Sequence, residues 1–299
     1  MSEFVAPTPG SPPPEDLLAL ERKARNADAR RGRVVRGVMI VGGILYVSIL
    51  LLAPLGGIVW SAVKSGFGTV TSTITSSDAF HALYLSGVIM LLTVVVTGFF
   101  GLIVAVVLAR DQFPGKGILS ALVDLPLGVS PVIVGLMAVL LFGTGGWFQS
   151  FFQARGIQIL FALPSMAIVT MFISLPFVIR EVVPLLQELG MEEEQAAWTL
   201  GASRIQTFFR VTLPNIRWGL LYGIALSAAR AVGEVGAVLI VSGAIQGQTE
   251  TAPLYILRTF DQGQDQQGYV VALLLALFSI VLLIGIEFFK HREIREANR

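Results

Sequence analysis

Little in this chain is equipped for covalent or metal chemistry. It has no cysteine, and its two histidines, His81 and His291, lie far apart in sequence, which excludes disulfides, thiol chemistry and a His-rich metal site. No nucleophile–base spacing appears, and no motif points to nucleic acid. Lys116 follows Gly115, but Gly117 stands where a phosphate-binding loop needs Ser or Thr, and Arg110 stands where it needs its first Gly. The chain does not bind ATP by that route. The sharpest chemical feature is Arg230 and Glu234, four residues apart inside an apolar run and so able to pair on one helical face. An ionisable group at mid-bilayer costs about 2.5–3.5 kcal/mol, so such groups face a bundle interior, a cavity or each other. Two readings stand: a neutralised pair that locks the helix against its neighbours, or a cation, Arg230, that helps an oxyanion pass. Asp124 reads as a helix-end or surface carboxylate, with a gate as the alternative.

A second set of residues suits docking. From Glu192 to Pro214 a polar stretch separates two apolar runs and reads as two short helices and a turn. Met191 to Leu200 contains good helix formers, with three acids in its first turn where the helix dipole favours negative charge. Gly201 fits the C-terminal stop, Ser203 is the N-cap of the second helix, and Leu213-Pro214 is expected to end it. Ile205, Phe208, Phe209 and Thr212 form a stripe that needs a partner surface, with the two phenylalanines as anchors.

The elements that must position these residues are membrane spans. The chain has 299 residues, 54% of them hydrophobic and 14% charged, with a mean hydropathy of +0.76; soluble chains carry about 25% charged residues. Apolar runs of membrane length recur, so the fold class is an all-α polytopic membrane protein with about six transmembrane helices. Residues 1–36 form a tail, disordered over its proline-rich start and partly helical from Glu15. A first span covers 37–62, too long for a signal-peptide core. Span two is expected over 82–109 and a short interfacial helix over 118–127. Span three starts near Pro131, with Ser130 as N-cap. Span four covers 157–179 with bends at Pro164 and Pro176, span five 218–243 and span six 268–289, with 244–267 a polar loop and 289–299 a basic tail. Trp147, Phe151 and Phe152 suit an interfacial aromatic belt. Small residues in span five, among them Gly223, Ser227, Gly233 and Gly236, permit close helix approach. With the N-terminus inside, seventeen of the 21 Lys and Arg fall on the inner side and three outside, which predicts both termini and the polar stretch in the cytoplasm.

The polar stretch resembles the coupling loop of ABC-importer permeases: Glu-Ala-Ala, three residues, Gly, nine residues, an aliphatic residue, one residue, Leu-Pro. Ala196-Ala197, Gly201, Val211 and Leu213-Pro214 match at that spacing; Gln195 stands where the family has Glu, with Glu194 beside it, about 100° away on a helix. Across 83–288 the chain is similar to the sulfate/thiosulfate permeases, W-type (CysW-like), at Val123-Asp124-Leu125-Pro126, at Val129-Ser130-Pro131-Val132 and at Ala229-Arg230-Ala231-Val232-Gly233-Glu234. Val235 departs, standing where Phe is common, and Thr249 to Leu254 is closer to the T-type pattern. The resemblance implies a type I importer permease fold over 83–288 and a multi-pass place in the bacterial inner membrane. It implies a coupling loop over 191–215 in which Glu194, Gln195, Ala196, Ala197, Gly201, Phe208, Phe209, Val211, Leu213 and Pro214 dock an ATPase. It also implies partners: an ABC ATPase dimer that carries ATP and Mg, a second, T-type permease and an extracytoplasmic sulfate-binding protein, all beside membrane lipid. The chain itself would need no cofactor and perform no catalysis. A homodimeric molybdate or tungstate permease and, more remotely, an ion-coupled secondary transporter are the alternatives.

Overall fold

The computed structural model describes the backbone of residues 15–64 and 66–297 and the side chains of 35–64 and 66–285. The expected disorder over 1–14 and the side chains of the 289–299 tail lie outside the described residues. The chain divides into two units, 1–57 and 58–299. The first is carried by α1 (Glu15–Val63), one helix through the charged stretch and the first apolar run. Its apolar part, Val35–Val63, is 29 residues, about 43 Å at helical rise and enough to cross a bilayer core of about 30 Å.

The second unit holds α2 (Phe67–Thr75), α3 (Ser77–Arg110), α4 (Lys116–Gly128), α5 (Pro131–Phe142), α6 (Gln149–Gln153), α7 (Leu163–Leu189), α8 (Glu192–Thr199), α9 (Arg204–Thr207), α10 (Leu213–Val232), α11 (Gly236–Ser242), α12 (Ala252–Asp261) and α13 (Asp265–Ala297). Its spine is α3, α7 and α10, packed along one another. Small residues allow the approach: a Cβ on Gly223 would lie 3.0 Å from the Val178 Cα, and one on Gly101 3.0 Å from the Val178 side chain. One polar contact ties α3 to α10 inside this core: the Thr97 hydroxyl reaches the Thr93 carbonyl at 2.7 Å and the Ser227 hydroxyl at 2.9 Å.

One expected span is broken, and another is too short to cross alone. The turn between α4 and α5 bends by 113°, and the one between α10 and α11 by 55°; four described helices are long and apolar enough to cross a membrane, or up to six if each bent pair counts as one span. The interfacial helix before Pro131 is present as α4, but α5 is 12 residues, about 18 Å, and does not cross alone. Pro131 starts it as expected, although the Ser130 hydroxyl makes no cap bond. Span five stops at Val232, because Gly233 and Gly236 flank a non-helical break. Span four begins later than expected: Ile159 and Leu160 are buried outside any helix, and Pro164 sits in the first turn of α7 instead of bending it. Pro176 is inside α7, as expected, and so is Pro184. The loop expected over 244–267 contains α12, whose Ala252, Leu254, Tyr255 and Thr259 are buried.

Candidate functional site

The polar stretch folds into a helical hairpin at the end of the bundle where α7 finishes and α10 starts. Its turn is built from local signals. Gly201 takes φ +86°, and the Gly201 N–H donates to the Trp198 carbonyl at 3.0 Å while Ala202 N–H donates to Ala197 at 3.0 Å, closing α8 in a Schellman motif. Ser203 then starts α9 with a capping box: its hydroxyl accepts from Gln206 N–H at 3.3 Å, and its own N–H donates to the Gln206 side chain at 2.9 Å.

The second helix does not end at Leu213-Pro214. It passes through a π-helical turn, Phe208–Thr212, and continues as α10. Within that turn Leu213 N–H donates to the Phe208 carbonyl, five residues back. The wider turn shifts the bonding register by one residue, and Pro214, which has no N–H, falls in the first turn of α10 where no donor is demanded.

The hairpin has two faces. Leu200, Ile205 and Phe209 are 88%, 72% and 62% exposed, and Gln195, Ala196, Gly201 and Pro214 are exposed with them. Ala197, Phe208, Val211 and Leu213 are half-buried, and Leu213 packs on a cluster containing Val178, Leu186 and Ile216. The expected stripe is therefore split: Ile205 and Phe209 point out, while Phe208 and buried Thr212 point in, beside a cavity of about 290 Å³ that Trp198 and Arg204 also line. Glu194 points inward as well. It is buried, and its Oε1 accepts from Arg110 Nη2 at 2.9 Å and from the Thr212 hydroxyl at 2.8 Å. At the surface Glu193 accepts from the Asn215 amide at 2.6 Å.

The intramembrane pair forms, but across the helix break and not on one continuous helical face. Arg230 Nη1 lies 2.6 Å from Glu234 Oε2, and Glu234 Oε1 accepts from the Ala237 N–H at 2.9 Å, which caps α11. The Glu234 side chain is 2% exposed and that of Arg230 30% exposed. Just beyond the pair, α11 meets α5 closely: a Cβ on Gly236 would lie 3.1 Å from Pro131, and one on Gly135 2.9 Å from the Ala237 carbonyl. Asp124 is at the hairpin end of the bundle, in an exposed pair with Arg180 at 2.9 Å.

Two functional-looking contacts escape a reading of the sequence. In the sequence Arg110 is only one of the inner-side cations, since nothing local ties it to Glu194. At the opposite end of the bundle Arg258 grips buried Glu250 with two bonds, 2.6 and 3.1 Å, and stacks over Tyr255 at 5.1 Å. Donation to the Glu250 carboxylate holds the pKa of the Arg258 guanidinium above its ordinary value. Among the described residues no group of His, Asp and Glu could hold a metal ion.

Residues 99–293 match the family described as binding-protein-dependent transport system inner membrane component. The chain is 45% identical over 258 residues to the sulfate transport system permease protein CysW of Synechocystis, covering 86% of this chain and 94% of that one. It is 35% identical to the sulfate transport system permease protein CysT of the same organism, covering 85% of this chain and 89% of that one. Among solved structures, a chain of a bacterial alginate ABC transporter, in complex with an alginate pentasaccharide-bound periplasmic protein, superposes with a TM-score of 0.73 at 18% identity, covering 89% of this chain and 96% of that one. That last likeness is one of fold.

Proposed function

Because the chain belongs to the binding-protein-dependent transport permeases, and within them to the CysW-type sulfate permeases, we propose that it is one of two different membrane subunits of an ATP-driven importer of sulfate or thiosulfate. The observation that carries the transport role is the hairpin: a locally determined turn that presents Leu200, Ile205 and Phe209 to a partner while its other face is tied into α3 and α10. Likeness to both a CysW and a CysT protein of one organism supports a pairing of two unlike permeases, and a homodimeric molybdate permease is not favoured. The charge distribution along the chain supports both termini and the hairpin lying in the cytoplasm, where an ATPase dimer with ATP and Mg docks.

The work of this chain is mechanical. Closure of the ATPase pair on ATP displaces the docked hairpins. The helix from Arg204 to Val232 keeps one course through the π-turn, so a displacement of the hairpin is delivered to the break at Gly233. There α11 and α5, two half-length helices in close contact, change their angle to the spine, and the site alternates between the two sides of the membrane. Glu234 is the structural half of the ion pair, occupied by the cap of α11. Arg230 is the pathway half, and its guanidinium offers a transient contact to a tetrahedral anion delivered by an extracytoplasmic binding protein.

Purification of the native assembly in mild detergent, with subunit stoichiometry by mass spectrometry, tests the assembly. One copy of this chain, one unlike permease and two ATPase subunits are expected. Two copies of this chain around an ATPase would replace the heterodimer with a homodimer, and an assembly without an ATPase would remove the docking assignment. Sulfate uptake into vesicles tests the pathway: Arg230→Gln is expected to lower uptake about tenfold or more, the size of one lost charge-assisted contact, and Arg230→Lys to retain part of it.

A further inference from the structure

The hairpin is held to α3 by one polar junction and not by close packing. The cavity behind Phe208 leaves the apolar filling between hairpin and α3 incomplete, and across it runs the contact of Arg110, in the last turn of α3, with Glu194 on α8. The side chains of Arg110 and Glu194 are 12% and 10% exposed, so water screens their attraction weakly. The same Glu194 oxygen also receives the Thr212 hydroxyl, the last residue of the π-turn. Three elements that are remote in sequence thus converge on one carboxylate oxygen: the end of α3, the first turn of α8 and the exit of the π-turn into α10. A π-turn departs from the i to i+4 ladder, and such turns recur where helices yield or pivot.

We propose that Arg110 is a positioning residue for energy coupling: through Glu194 and Thr212 it makes the docking hairpin, α3 and α10 move as one piece, so that hairpin displacement becomes helix displacement. This rests on the docking reading above. Glu194, by this assignment, serves the chain's interior and leaves Gln195, exposed beside it, to face the partner. With the junction intact the π-turn cannot absorb the stroke, because its last hydroxyl is fixed to the same carboxylate that holds α3. With it broken, the hairpin remains docked and the stroke is lost in the π-turn and the cavity behind it.

The test is the complete importer in proteoliposomes, with sulfate uptake and ATP hydrolysis measured in the same vesicles and ATPase retention measured on purification. Arg110→Gln is expected to keep the ATPase bound and hydrolysing while sulfate moved per ATP falls roughly tenfold, the scale of coupling across a contacting pair. The exchange of Arg110→Glu with Glu194→Arg in one chain is expected to recover part of that ratio, and Thr212→Val to lower it by a smaller factor. A ratio that stays at the wild-type value in Arg110→Gln overturns the proposal, as does a parallel fall of uptake and hydrolysis with no recovery in the exchange. If Arg110→Gln does not accumulate in the membrane, Thr212→Val decides alone: a lowered ratio supports the junction and an unchanged one overturns it. Phe209→Ala keeps the two ideas apart. If it retains both ATPase and uptake, the docking face is wrong, yet the Arg110 ratio still reports on the junction.

Discussion

Both ends of the bundle bury a carboxylate against an arginine, and the two arrangements differ in reach. At the α12 end, Glu250 and Arg258 are eight residues apart, and both carboxylate oxygens are taken by the same guanidinium. Around them Leu254 and Tyr255 are 3% and 2% exposed. At the hairpin end, Glu194 and Arg110 are 84 residues apart, a single oxygen does all the accepting, and the neighbouring Leu200 and Phe209 lie open. The first closes a segment on itself and is sealed by burial. The second ties separate helices together and sits under an uncovered apolar face. Similar chemistry therefore serves cohesion at one end and transmission at the other.

The contrast can be broken in four ways, in falling order of effect. Glu250→Ala leaves Arg258 without its bidentate partner in a mostly buried site. A loss of about 3–5 kcal/mol is expected, seen as disappearance of the monodisperse peak in detergent, and a peak with an unchanged thermal midpoint would refute the cohesive role. Next is Gly268→Val, whose Cβ would lie 2.7 Å from the Thr259 hydroxyl oxygen between α12 and α13. Overpacking there is expected to cost about 1–3 kcal/mol and to lower the thermal midpoint while the ATPase stays bound. Leu200→Ala with Phe209→Ala is expected to change stability by no more than about 0.5 kcal/mol, as for exposed positions, and yet to release the ATPase on purification; retention with normal uptake would deny the open face its role. Smallest is Arg180→Gln. Its pair with Asp124 is 57% and 42% exposed, so the thermal midpoint should barely move, a change under about 0.3 kcal/mol with the ATPase still bound, and any effect should fade with added salt.

How much was legible beforehand follows the same division between local and remote causes. The hairpin turn was readable because Gly201, Ser203 and Gln206 act on their own backbone within a few residues. The spans were readable as long apolar runs, and their interruption at Gly233 and Gly236 was present in the sequence as small residues, though those serve close packing equally well. What could not be read depends on tertiary partners. α12 reads as a loop because its apolar run, Ala252 to Leu257, is only six residues long and is set between Thr249-Glu250-Thr251 and a polar segment from Asp261 to Gln267, and its burial depends on α3 and α13. The inward turn of Glu194 needs Arg110, which no spacing rule connects to it. The passage of the helix through Pro214 contradicts the usual stop signal, and only the widened turn before it reconciles the two.

That widened turn also fixes how the hairpin responds to changes of length. A π-turn holds one more residue than an α-turn of about the same rise and rotation, so it absorbs a residue that would otherwise turn everything before it by about 100° against α10. Removing one residue between Phe208 and Thr212 would let the turn close as ordinary α-helix and leave Ile205 and Leu200 facing nearly as they do now. Adding one would swing them about 100° around the axis, because the slack is already taken up. The segment is thus more tolerant of a one-residue deletion than of an insertion, and the direction of the docking face is written in a residue count as much as in residue types.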